Sequence, residues 1–255
     1  MAGSGGASMG SGGASTGSSS NPNGTSSTPN PAVQPGNITV SATGDGITLQ
    51  TNASAFVRSG VSVTGSVPAA DAGDAVEIDE LPATLGSTWT EASVVQSQSN
   101  GSFTARLHTT GAGPVTIRAL LQGSQASSTT ASPPSVSVTV YRRSLATLYG
   151  PGFWGHQTAC GVILTRHTIG VANRTLPCGT QVQVYYKGSV LTVPVIDRGP
   201  YAHHANWDLT MATARALGML GTGTIGAAAL PSTATAGGGS TAADRAGKPP
   251  RRKAG

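Results

Sequence analysis

Charge and aromatic rings are scarce in this chain of 255 residues: 10% of the side chains are charged and 4% are aromatic. The net charge of +5 comes largely from the last run, DRAGKPPRRKAG. That is a basic tail and not a basic domain, so no nucleic-acid partner is expected, whereas an acidic wall polymer would attract the same tail. Cysteine is nearly absent. Cys160 and Cys178 stand eighteen positions apart without a CxxC pair, which argues against a zinc cage. They permit one disulfide, and then an oxidising compartment, or two reduced and buried thiols. No run of about 18 apolar residues is present, so no transmembrane helix is expected. The first residues, MAGSGGASMGSGGAS, lack the basic and apolar regions of a signal peptide. If the cysteines pair, either an upstream segment, such as a membrane tether, is missing or export is non-standard.

What is abundant is Gly, Ser, Thr, Ala and Pro, unevenly spread. Residues 1–36 carry almost no apolar side chains, so they are expected to be a disordered linker. Residues 231–255 are expected to be a disordered basic tail. Residues 37–141 differ. GVSVTGSV, AVEIDEL, GSFTARLHT, GPVTIRALL and SVSVTVYR alternate with period two and are punctuated by Gly, Pro and Asn. Short strands at regular spacing predict an all-β sandwich of immunoglobulin-like type. Val61, Val63, Val76, Ile78, Phe103, Leu107, Val115, Ile117, Val136, Val138 and Val140 form its expected core, with Trp89 as a core plug. YRRS at 141–144 reads as a joint. Residues 145–230 form a second β-rich unit. LATLYG, TIGVAN, QVQVYY, VLTVPVID and TGTIGAAAL read as its strands. DLTMATARALGM reads as its one helix, capped by Thr210, faced by Leu209, Ala212, Ala216 and Leu217, and ended by Gly218.

Two of the few acids stand eleven positions apart in VPVIDRGPYAHHANWDL. Asp197 ends a strand before a Gly-Pro turn. A carboxylate there is held by the sheet yet open to a cleft, as a general acid or base must be. It equally suits capping of turn amides or pairing with Arg198. Asp208 precedes the helix, where an acid is stabilised by free backbone N–H groups. YGPGFWG surrounds Tyr149, Phe153 and Trp154 with glycine and proline. Glycine lets backbone approach a ligand, and such rings suit the C–H face of a sugar. They equally suit a barrel cap. His156, His167, His203 and His204 are the other titratable groups nearby; nothing in their spacing with Asp197 favours a metal site. No metal and no cofactor are expected.

The order of ATLYGPGFWGHQTACG, TLPCGTQVQVYYKG, VIDRGPY, DLTMATARALGM and GTGTIGAAAL resembles the rare lipoprotein A family over about residues 145–230. The resemblance implies a six-stranded double-psi β-barrel with one short helix, export to the bacterial envelope, and lytic transglycosylase action on peptidoglycan or another wall polysaccharide. It implies a catalytic role for Asp197. The wider barrel superfamily, including expansins, implies one for Asp208. Tyr149, Trp154, Asn173, Arg198, Tyr201 and Trp207 are the candidate sugar contacts. Paired cysteines would staple the first loop to the TLPCGT turn, as in expansins and barwin-like proteins.

Two departures bear on the chemistry. The family's glutamate position holds Val162 and its histidine position holds Asn173. Valine cannot move a proton, and asparagine hydrogen-bonds without titrating. Glycoside cleavage ordinarily uses two carboxylates, but lytic transglycosylation needs no attacking water, so one acid that donates and then accepts a proton can suffice. The alternative is a non-catalytic wall binder of expansin-like or lectin-like kind.

Overall fold

The computed structural model describes residues 31–122, 132–201 and 204–232. Most of the expected linker and tail lies outside the described residues. The last linker residues do not: Gln34–Pro35 (β1) pair with a later strand, so the ordered chain starts before residue 37.

The first half builds two facing sheets from Thr39–Gly44 (β2), Ile47–Asn52 (β3), Ser54–Phe56 (β4), Val61–Ser66 (β5), Ala75–Pro82 (β6), Thr90–Gln96 (β7), Ser102–Leu107 (β8), Gly113–Leu121 (β9) and Ser135–Tyr149 (β10). Period-two alternation does the sorting. In β3, Ile47, Leu49 and Thr51 are buried while Thr48, Gln50 and Asn52 face out. Asp45 and Gly46, both at positive φ, make the tight turn from β2 to β3, which suits strand twist. One sheet runs β2-β3-β5-β8; the facing one runs β7-β6-β9-β10, with β4 beside β10. All eleven expected core residues are buried between them. Trp89 is not. It is half-buried outside that core, with the Arg118 guanidinium 4.2 Å over its ring. Arg118 also pairs with buried Asp79 at 2.8 Å. The core is already filled by aliphatic side chains, and the indole is covered by a cation instead.

The second half adds Val171–Ala172 (β11), Gln181–Tyr186 (β12), Ser189–Asp197 (β13), Trp207–Thr210 (β14), the helix Met211–Ala216 (α1) and Gly223–Ala229 (β15). Its pairing closes on itself in the order β14-β11-β13-β12-β15-β10, with β10 and β14 parallel at the seam. This is a six-stranded closed barrel with two parallel pairs, β10–β14 and β11–β13. Ala146, Val171, Val182, Val184, Leu191, Val193, Val195, Leu209 and Ile225 fill it.

Residues 141–144 are not a joint but the middle of β10. Val140 and Tyr141 are both buried and Arg142 and Arg143 both exposed, so the alternation slips phase there. The slip marks where one strand leaves the first core and enters the second. Phe56, Tyr141 and Tyr185 cluster across that passage with ring centroids 5.2–5.9 Å apart. The helix is shorter than expected. Trp207–Thr210 is strand, and the buried side of α1 is Thr213 and Ala214 followed by Leu217, while Ala216 is exposed. Thr210 does cap it, its hydroxyl accepting from the Thr213 N–H at 3.2 Å. Among the described residues no helix is long and apolar enough to cross a membrane.

Candidate functional site

Strand register puts four side chains in one row. Thr147 on β10 pairs with Asp208 on β14, Asp208 with Ala172 on β11, and Ala172 with Asp197 on β13. Adjacent strands lie about 4.8 Å apart, so the two acids stand roughly 10 Å apart at their Cα atoms. Only the Ala172 methyl intervenes. The row floors a cleft of about 370 Å³, walled also by Tyr149, Phe153 and the Gly199-Pro200-Tyr201 turn.

Asp197 is held by its backbone and by the loop opposite. Its Oδ1 accepts the Ala159 N–H at 2.9 Å and the Arg198 N–H at 2.8 Å. The turn-capping reading of this residue is therefore realised, and Oδ2 has no protein partner among the described residues. Arg198 makes no ion pair with it. The guanidinium donates to Asn173 O at 3.2 Å, to Leu176 O at 2.7 Å and to Cys178 Sγ at 3.3 Å. It braces the 173–178 turn while forming part of the cleft wall.

Asp208 does not stand at the helix start. It is the second residue of β14, and Thr210 takes the cap. Its Oδ1 is shut off from solvent without a hydrogen-bond partner. Burial pushes the carboxyl up to about 6; the charge of Asp197 adds to the rise and the Thr147 hydroxyl opposes it. Tyr149 lies two residues beyond Thr147 on the same strand face, diagonal to Asp208. Its hydroxyl is also buried without a partner. Burial first, then the two acids, push its ionisation upward, so it remains a donor.

The other candidate contacts separate. Tyr201 is 81% exposed at the mouth of the cleft. Asn173 is committed to its turn: Oδ1 accepts from Thr175 N at 3.1 Å and Leu176 N at 2.9 Å. Trp154 is not in the cleft wall; Arg166 covers its ring at 4.5 Å. Its neighbour Phe153, 59% exposed, is. Trp207 is buried in the barrel core, because its position on β14 is one register step from Asp208 and points to the opposite side. His156, His167 and His204 are exposed and outside the cleft; His203 lies outside the described residues. Sequence reasoning missed Thr147 and Ala172. They become visible only through the pairing of strands far apart in the chain.

Cys160 and Cys178 form a disulfide, with 5.6 Å between Cα atoms. Residues 155–164 fold into a small hairpin flap, with Gly155 N–H to Leu164 O at 2.8 Å and Thr158 N–H to Val162 O at 2.8 Å. Cys160 sits at its tip, beside Ala159. Val162 is 36% exposed on the returning arm.

Residues 141–228 match the family model described as lytic transglycolase. The chain is 40% identical over 87 residues to a probable endolytic peptidoglycan transglycosylase RlpA of Aquifex aeolicus, covering 33% of this chain and 38% of that protein. It is 40% identical over 88 residues to the Synechocystis protein of the same name, covering 34% and 27%. It is 33% identical over 94 residues to the endolytic peptidoglycan transglycosylase RlpA of Campylobacter jejuni, covering 36% and 34%. Among solved structures, the Streptomyces papain inhibitor aligns with 34% of this chain and 92% of its own, at 27% identity and a TM-score of 0.30. The chain thus spans about a quarter to two-fifths of the length of these curated relatives. The closed six-stranded ring and the sequence matches coincide on the same residues, and residues 141–228 form a barrel that is similar to the double-psi barrel of RlpA proteins.

Proposed function

We propose that the barrel cleft binds glycan strands of peptidoglycan and cleaves them by lytic transglycosylation, in the cell envelope. The observation that carries this reading is the Thr147–Asp208–Ala172–Asp197 row, with two acids flanking a gap at the floor of one cleft. In this reading Asp208 is the proton donor, since burial keeps its proton to about pH 6. Asp197, oriented by two N–H groups, faces the positive charge that develops at the anomeric carbon. The C1–O4 bond breaks and O4 takes the Asp208 proton. The sugar's own O6 then closes on C1, and its proton returns to the Asp208 carboxylate. No water is consumed. The Tyr149 hydroxyl donates to a sugar oxygen, and Phe153 and Tyr201 offer ring faces to the sugar's C–H groups. The division of the chain belongs to the same proposal: residues 37–141 are an immunoglobulin-like spacer that presents the barrel of 145–230.

One set of observations favours a second reading, a binder that does not cut. Val162 is an exposed aliphatic residue, and the Asn173 side chain serves its turn. Both stand where the resembling family has ionisable groups. The deciding experiment incubates the purified chain with denuded glycan strands and with whole sacculi. Mass spectrometry reads 1,6-anhydro-muropeptides, and pelleting reads binding in the same tubes. Anhydro products that vanish with Asp208→Asn establish the enzyme. Pelleting without product establishes the binder.

A further inference from the structure

We propose that the Cys160–Cys178 disulfide is a positioning element for the Asp197 carboxylate, and that its reduction by a dithiol releases that carboxylate. The proposal rests on the reading of Asp197 as part of the working cleft.

The flap tip is a tight turn: Gly161 N–H donates to Thr158 O at 3.0 Å, and Val162 N–H donates to the Thr158 hydroxyl at 3.1 Å. Its Ala159 N–H supplies one of the two bonds that Asp197 Oδ1 accepts. The next residue, Cys160, carries a covalent cross-link from the flap tip to the barrel, beyond the backbone that joins the flap at its root. On the other side, Cys178 belongs to the turn entering β12, where Gly179 N–H donates to Val195 O at 2.8 Å. The same sulfur accepts from Arg198, the residue after Asp197, at 3.3 Å. The disulfide therefore grips the carboxylate from two directions: through Ala159 on the flap and through Arg198 on its own strand end. Apart from these links, among the described residues the flap bonds to itself and to its own root, and its tip is exposed. Cys178 is exposed as well, so a dithiol reaches the bond. Reduction adds two electrons and two protons to the disulfide and gives two thiols, while the dithiol closes to its own cyclic disulfide. The tip is then held by hydrogen bonds alone.

Coupling of this kind is reciprocal: if the disulfide holds the Ala159–Asp197 bond, that bond also shields the disulfide. The test uses the full chain, with dithiothreitol as the reductant and amide NMR as the first readout. On reduction, the Ala159 amide proton is expected to lose its carboxylate-bonded shift, while the amides of Leu191 and Val193 in the barrel core stay in place. Reoxidation restores it. In the oxidised protein, Asp197→Ala should produce the same Ala159 displacement and speed reduction of the disulfide by about tenfold, a coupling of about 1.4 kcal/mol. Asp197→Asn, which keeps an acceptor oxygen, should do neither. On glycan strands, reduction should lower kcat by at least about tenfold with KM unchanged, since a misaimed carboxylate harms the transition state and not docking. An Ala159 resonance indifferent to reduction, or a reduction rate indifferent to Asp197→Ala, overturns the proposal. If both respond as expected but no form of the protein cleaves glycan, the positioning proposal stands and the transglycosylase reading falls.

Discussion

Asp208 is where function and stability oppose each other. The carboxyl holds its proton to about 6 in the folded chain against an ordinary 3.8, chiefly because of burial. Between those values the folded state binds more protons than the unfolded one. The contribution of this group to stability therefore falls as pH rises through that window. Asp208→Asn removes the charge that the fold disfavours. Above about pH 6 the variant is expected to melt about 2–4 °C higher than the parent, after allowance for the solvent that still reaches the carboxyl, and the gain should vanish below about pH 4. Cleavage by the parent should fall about tenfold per pH unit above 6, and the variant should not cleave at any pH. Melting curves and rate profiles from pH 3 to 8 check both. A second residue-scale prediction concerns Ala172, 3% exposed between the acids. Ala172→Leu fills the gap that a sugar ring must occupy. It should cost about 1–3 kcal/mol through overpacking and abolish both product and pelleting. Asp197 was legible in the sequence because a strand end before a turn is a local signal, whereas Asp208 drew notice as an acid before a helix and stands instead inside β14. Their neighbours Thr147 and Ala172 were not legible, because a threonine and an alanine announce nothing until β10, β14 and β11 are paired.

At the scale of elements, the two-residue strand β11 is the weakest part of the site and the part most dependent on others. It is held from behind by α1. Buried Thr213 accepts from Gly170 N–H at 2.9 Å and donates to Gly170 O at 3.0 Å, immediately before β11. Gly170 leaves no room for a side chain there, since an added Cβ would lie 2.6 Å from Ile196. Thr213→Val keeps the shape, strands the Gly170 N–H and leaves Gly170 O with the Thr210 N–H alone, at 3.2 Å. It is expected to cost about 1–3 kcal/mol, read from urea midpoints, and to lower cleavage by displacing Ala172. The strands QVQVYY and VLTVPVID were readable because each alternates over five residues on either side of a turn at Lys187 and Gly188. TIGVAN shrank to two strand residues, and DLT passed from helix to strand. Local propensity is weak in both, and barrel closure at β10–β14 decides them.

For the whole molecule, the chain between residues 31 and 232 is tied together more tightly than the sequence suggested. The sandwich strands were legible, and so was the core, but the apparent joint at YRRS hid a 15-residue strand shared by sandwich and barrel. A phase slip in the alternation looks like a loop when only one core is imagined. The sharing is reinforced twice. The Tyr141 hydroxyl donates to Gln183 Oε1 at 2.9 Å, and the Tyr185 hydroxyl donates to Asn37 Oδ1 at 2.8 Å. Gly36 N–H adds a bond to Gly188 O at 2.7 Å, clasping the chain ahead of β2 to the β12–β13 hairpin. Two bodies joined by a continuous strand, an aromatic cluster and a backbone clasp should not unfold separately. Calorimetry is expected to show one transition with equal calorimetric and van't Hoff enthalpies. Tyr141→Ala removes the 1%-exposed ring at the passage and should cost about 3–5 kcal/mol. The loss falls on the coupling between the cores, so the single transition should split into two, with the disulfide-linked barrel melting last. Two transitions in the parent protein would show instead that β10 passes between independent domains without coupling them.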